Sequence, residues 1–183
     1  MTESFVFMKV GQHAGEEFDA IIERKIKEIK DTGMSFWGYG GQTCHPTKQV
    51  QPFAKRVIER NGSIFLYMET IKSFADPDIV PATMFSVDGI NYQPIQDGIK
   101  VTGSRYAIVL DEIQRTDDLK VPLSVYEVAC GNSRGKLATD YLKGRVDKAC
   151  LELNQDRPIL TEIPEKIISF VAKMKEPFAV FVK

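Results

Sequence analysis

From Pro81 to Ala129 the chain reads as one strand after another, and this constrains the fold more than any other feature. "PATMFSVDGINYQPI" carries an Asp-Gly hairpin signal at Asp88-Gly89. "GIKVTGSRYAIVLDEI" predicts two strands around Gly103, and "LKVPLSVYEVA" predicts another, which Pro122 assigns to an edge. Successive strands joined by short turns pair antiparallel, because a parallel pair needs a crossover of a dozen or more residues.

Mixed elements flank this β region. Ser4 to Val10 ("SFVFMKV") predicts a first strand. From Glu16 to Lys30, Phe18, Ile21, Ile22, Ile26 and Ile29 fall at helical spacing, and Gly33 supplies the stop. "MSFW" gives a short strand. A second helix starts near Gln51 or Pro52, where proline fits the first turn, and ends at Gly62. Ser63 to Ile71 is a strand. In the C-terminal part, Leu137, Tyr141, Leu142, Val146, Ala149, Cys150 and Leu153 form an apolar stripe that predicts a helix from Arg134 to Leu153. Pro164 opens a last helix through Ile167, Ile168, Val171 and Met174, and "PFAVFV" closes the chain as a strand. The expected fold class is α+β: a mainly antiparallel, barrel-like sheet packed with about four helices, in a single domain spanning residues 1–183.

Charge narrows the function classes. The 24 basic and 25 acidic residues leave a net charge of −1, unlike a general nucleic-acid binder, which needs many cations for phosphates. Cys44, Cys130 and Cys150 are odd in number and lack CxxC spacing, so reduced thiols are expected. The first ten residues lack the basic-then-apolar order of a signal peptide, and no apolar run approaches the ~20 residues of a membrane span. A cytoplasmic protein with no membrane partner and no cofactor is expected. His13 and His45, the only histidines, have no metal-ligand spacing.

Three segments carry chemistry. "GNSRGK" (131–136) precedes the expected helix, with Ser133 as its N-cap. The amides of Arg134, Gly135 and Lys136 would then be unpaired, with two side-chain cations beside them: the parts of a phosphate site. The competing reading is a solvated helix start. "TGSRYA" (102–107) places Arg105 on a small-residue turn, where it contacts phosphate or pairs with an acid such as Asp111. "SFWGYGGQTCHP" (35–46) holds the only tryptophan. Trp37 and Tyr39 share one strand face and are either core or a stacking platform for a base, with His45 and Lys48 close behind. Lys143 and Arg145 flank Gly144, a costly residue in mid-helix.

The blocks "FWGYGGQTCHP…VQPFA", "VTGSRYAIVLDEI" and "NSRGK…DYLKGRVDKACL" resemble an uncharacterised family of bacterial and phage proteins. The resemblance implies a prokaryotic or phage origin and transfers no reaction. The leading expectation is a binding protein for a small phosphorylated ligand, most of all a nucleotide, such as a host immune signal sequestered by a phage. The alternatives are a nucleotide hydrolase or phosphoesterase with His13 or His45 as general acid/base, and a protein-interaction module without a small ligand. A homo-oligomer is expected from pairing of sheet edges or of the C-terminal apolar strand.

Overall fold

The computed structural model describes residues 2–72, 79–144, 146–156 and 165–183. Nine strands form one sheet: β1 (Ser4–Val10), β2 (Ser35–Tyr39), β3 (Phe65–Thr70), β4 (Met84–Ser86), β5 (Gln93–Pro94), β6 (Tyr106–Pro122), β7 (Tyr126–Val128), β8 (Lys148–Leu153) and β9 (Glu165–Val182). The order is β2-β6-β9-β3-β1-β8-β7, with β4 and β5 beside the end of β9. Among the described residues only β1 and β3 pair in parallel. The sheet is mainly antiparallel, as expected, but open rather than closed into a barrel. Three α-helices are described rather than about four: α1 (Phe18–Thr32), α2 (Gln51–Asn61) and α3 (Ala138–Tyr141).

Strand alternation explains the core. On β1, Val6, Met8 and Val10 join one apolar cluster, while Phe5 and Phe7 join another. Both faces of this central strand are covered, which is why it reads as an unbroken apolar run. The first cluster takes Trp37, Leu66, Met68, Ile108 and Phe170 from the sheet and Ile21, Ile22, Phe53, Ala54 and Val57 from α1 and α2. The second lies under Leu123, Tyr126 and Leu142. A third packs Phe36, Val109 and Val180 against Ile99 and Val101. Register shifts between β6 and β9, at Ile108/Leu110, Leu110/Glu112 and Arg115/Leu119, bend this longest pair.

Both N-terminal helices start and stop near the expected positions. Gly33 and Gly62 cap them with left-handed φ of 84° and 77°. Ile26 of α1 is exposed, and its place is taken by buried Lys25 and Glu28. These two pair at 3.2 Å. Glu28 also accepts from Arg24, from the Ser35 hydroxyl and from the Lys100 amide, while Lys25 donates to the Lys100 carbonyl. A buried ion pair is tolerated when its remaining bonds are filled in this way. The network ties α1 to the start of β2 and to the loop before the 102–105 turn.

The C-terminal half departs from expectation. Only Ala138–Tyr141 is helical in the stretch expected as a helix from Arg134, and Lys148–Leu153 is a strand between β1 and β7. Gly144, at a φ of 65°, breaks the expected helix. Arg145 lies outside the described residues. The expected last helix is also a strand. Its start at Pro164 lies outside the described residues, but Ile168, Phe170, Ala172 and Met174 alternate inward while Ile167 is 55% exposed. "IISFV" satisfies periods of 2 and 3.6 equally, and the sheet supplies neighbours on both sides. β9 pairs with β6 on one side and with β3 and β4 on the other. The edges of the main order are β2 and β7. Of the two strands expected around Gly103, only the second forms; the first contributes a single bridge, Pro81 to Thr102. The Asp88-Gly89 hairpin links β4 and β5, and Asp88 accepts the amides of Ile90 and Asn91.

Candidate functional site

The glycine passage is first a structural corner. Beyond β2, Cys44 adopts a φ of 57°, and residues Pro46–Val50 form a π-helical turn that runs into α2. His45 caps this turn reciprocally. Its Nδ1 accepts from the Lys48 amide at 3.4 Å, and the Gln49 side chain accepts from the His45 amide at 3.2 Å. This is a capping box built on histidine, with proline in the first turn. Since Nδ1 accepts, the ring proton belongs on Nε2.

The corner also makes a cleft. A cavity of about 450 Å³ lies beyond the ends of the parallel strands β1 and β3. Its walls include Met8 to His13, Trp37 to Gly41, Ile71, Gly103, Ser104, Asp147 and Lys148. The volume falls within the range of small-molecule sites. Glycines allow the walls to approach. A Cβ on Gly38 would come within 2.9 Å of the Ser104 Cβ, so the 102–105 turn rests directly on β2. A Cβ on Gly103, at a φ of 59°, would come within 3.1 Å of His13 Nε2. His13 Nε2 lies 2.7 Å from the Thr102 carbonyl. A carbonyl only accepts, so Nε2 carries the proton and Nδ1 keeps a lone pair. Lys148 is buried beside Gly41 and paired with Asp147 at 2.5 Å.

Just after the 102–105 turn three rings meet. His45, Tyr106 and Phe181 have centroid separations of 5.3 to 5.6 Å. The Arg105 guanidinium lies over the Tyr106 ring at 5.5 Å. Burial holds the His45 pKa below its ordinary value, and repulsion from Lys48 and Arg105 adds to the effect. Lys48 and Arg105 are exposed, and neither forms an ion pair among the described residues. The alternative Arg105–Asp111 pair is not formed; Asp111 Oδ1 is buried without a partner.

The sequence-predicted residues thus divide into three groups. His45, Lys48 and Arg105 come together. Trp37, Tyr39 and His13 reach the cleft, but the two aromatic rings are not an open platform. They are 7% and 6% exposed. Trp37 packs edge-on against Phe18, and the Tyr39 hydroxyl donates to the Cys44 carbonyl at 2.5 Å. The shared face of β2 is the core face, so stacking of a base between these rings is corrected. Ser133, Arg134, Gly135 and Lys136 form the third group and do not line the cleft. Ser133 is not an N-cap, because no helix begins there. The amides of Arg134, Gly135 and Lys136 donate to Gly131, Val128 and Ser133 carbonyls at 3.2, 2.9 and 3.0 Å. The expected cradle of unpaired amides is therefore absent at these three positions.

Sequence reasoning missed Lys148, Ser104 and the stretch 9–12. Lys148 was hidden by the helical spacing assigned to its segment. A larger cavity, about 850 Å³, is lined by Lys9, Glu69 and Lys166 among others; of the residues singled out in the sequence only Lys143 and Gly144 line it. Compared with family models, curated proteins and solved structures, the chain matches none. Among the described residues no helix is long and apolar enough to cross a membrane.

Proposed function

We propose that the protein binds a small phosphorylated ligand, a nucleotide in the first instance, in the cleft between the end of β1 and the glycine passage. The observation that supports this most directly is two unpaired cations beside a backbone-walled cleft. Arg105 follows the cleft-lining Ser104, and Lys48 and Arg105 both act on His45. Arg105 and Lys48 take the phosphate, with His45 Nε2–H as a further donor. The rest of the ligand enters the cleft against backbone and the edge of Trp37, not between two rings. Arg134 and Lys136 have no part in this version of the site.

A thermal-shift panel of phosphate, pyrophosphate, sugar phosphates and nucleotides tests the reading. Nucleotides should raise the melting temperature, and Arg105→Ala with Lys48→Ala should remove the rise. Each charge-assisted contact is worth roughly 1.5–3 kcal/mol, so each single variant should bind about ten- to a hundredfold more weakly. No shift with any phosphorylated compound, or an undiminished shift in the double variant, would refute it.

A second reading, hydrolysis of the bound ligand, draws on His13. The Thr102 carbonyl fixes its tautomer and leaves Nδ1 as a base at the cleft wall. Recovery of intact nucleotide after prolonged incubation would dismiss it.

A further inference from the structure

The three cysteines are far apart in sequence, yet the fold gathers them. Cys44 and Cys150 are buried in the core cluster, and Cys130 packs against that cluster with partial exposure. The thiols of both Cys130 and Cys44 act electrostatically on the Cys150 thiol. β7 and β8 pair through Val128 and Leu151, and the Ala129 amide donates to the Cys150 carbonyl at 2.9 Å. Cys130 is the next residue, where the chain leaves the sheet. Cys130 thus lies one residue beyond the position opposite Cys150, and both pack on the same core cluster.

The surroundings of the two thiols differ. Arg56 acts on the Cys130 side, Glu152 opposes it, and Arg134 contributes least. Contact with Cys150 is the leading cause that holds the Cys130 thiol below its ordinary pKa, and the two arginines add to it. The same contact, the Cys44 thiol and complete burial push the Cys150 thiol well above its ordinary value. A partly exposed thiol held below its ordinary pKa, beside a buried thiol, is the arrangement of an attacking and a resolving cysteine. Among the described residues no three His, Cys, Asp or Glu side chains are disposed to hold a metal ion.

We propose that Cys130 and Cys150 form a peroxide-sensitive dithiol, with Cys130 attacking and Cys150 resolving. The Cys130 thiolate attacks one oxygen of hydrogen peroxide. An S–O bond forms, the O–O bond breaks, and the departing hydroxide takes a proton to become water. Cys130 is then a sulfenic acid. The Cys150 sulfur attacks the Cys130 sulfur, the S–O bond breaks, and the thiol proton leaves with the hydroxyl as a second water. Two electrons pass from the thiol pair to the peroxide, and one disulfide remains. Cys44 stays reduced. Arg56, the larger of the two arginine effects, favours the thiolate.

The test is mass spectrometry of the native protein treated with stoichiometric hydrogen peroxide. The expected result is a loss of about 2 Da, as two thiol hydrogens leave. Peptide mapping should show a 130–150 cross-link with Cys44 still alkylatable. In Cys150→Ser, Cys130 should accumulate as a sulfenic acid that dimedone traps. Arg56→Ala should slow the reaction while leaving the cross-link unchanged; Arg56 is an exposed residue of α2. The proposal fails if all three thiols remain alkylatable after peroxide, if the cross-link joins Cys44 instead, or if the purified protein carries zinc on these thiols. The mapping uses the unaltered chain, so misfolding of a cysteine variant cannot decide the outcome.

Discussion

Replacing Gly38 by alanine probes the contact on which the cleft depends. The added Cβ would sit 2.9 Å from the Ser104 Cβ and 3.0 Å from Val101 Cγ1, with Ser104 Oγ closer still. The hydroxyl can rotate away, at the expense of its 3.0 Å bond to the Thr102 carbonyl, a loss of about 1 kcal/mol. The two carbons are fixed by the turn and by the packing of Val101, so either β2 or the 102–105 turn must shift. Overpacking of this kind costs about 1–3 kcal/mol. Alanine recovers about 0.4–1 kcal/mol by restricting the unfolded chain. The net expectation is a destabilisation of about 1–3 kcal/mol, read as a midpoint shift of roughly 1 M in urea unfolding. Gly40→Ala is the control: its Cβ would meet nothing within 4 Å, so stability should stay within about 0.5 kcal/mol of the parent. Adding Ser104→Gly to Gly38→Ala should restore part of the loss, with Val101 accounting for the remainder. If Gly38→Ala unfolds at the parent's urea concentration, or Ser104→Gly restores nothing, the close-approach account of the cleft is wrong.

Two further predictions concern titration. Burial and the Lys48 and Arg105 charges hold the His45 pKa down, so protonated His45 is disfavoured in the folded state. Its contribution to stability should therefore be lost as pH falls below about 6.5. Arg105→Ala should raise the His45 pKa in an NMR titration; an unchanged or lower value would remove Arg105 from the site. Burial also pushes Lys25 down to about 8, against the opposing pull of Glu28. Between about pH 8 and 10.5 the unfolded chain holds a proton that the folded chain releases, so Lys25 should make stability rise with pH in that window. Urea unfolding of Lys25→Met alongside the parent should show their stability difference changing there and flat below pH 8. A difference that stays constant across the window would contradict the buried setting of Lys25.

The sequence made some elements legible for definite reasons. The first strand, both N-terminal helices and the hairpin at Asp88 each carried a periodic run bounded by a glycine or proline stop. The last third misled because "KACLEL" and "IISFVAKM" satisfy helical and strand spacing together. Only the sheet, which offers β8 a place between β1 and β7, decides between them. Gly144 was the available warning. The site was half legible. The small-residue turn at Arg105 and the passage ending in His45 do meet, but spacing could not tell that the Trp37 face is the core face. Nor could it reveal that the turn at Ser133 closes on its own carbonyls. The gathering of Cys44, Cys130 and Cys150 required the β7–β8 pairing and the positive φ at Cys44, neither of which leaves a motif.

Native mass spectrometry of the purified protein titrated with a nucleotide mixture tests the central claim most directly. The account predicts a one-to-one adduct with a nucleotide mass, weakened about ten- to a hundredfold by Arg105→Ala and unchanged by Arg134→Ala with Lys136→Ala. A protein that takes up no phosphorylated compound, or an adduct lost only when Arg134 and Lys136 are replaced, would contradict it.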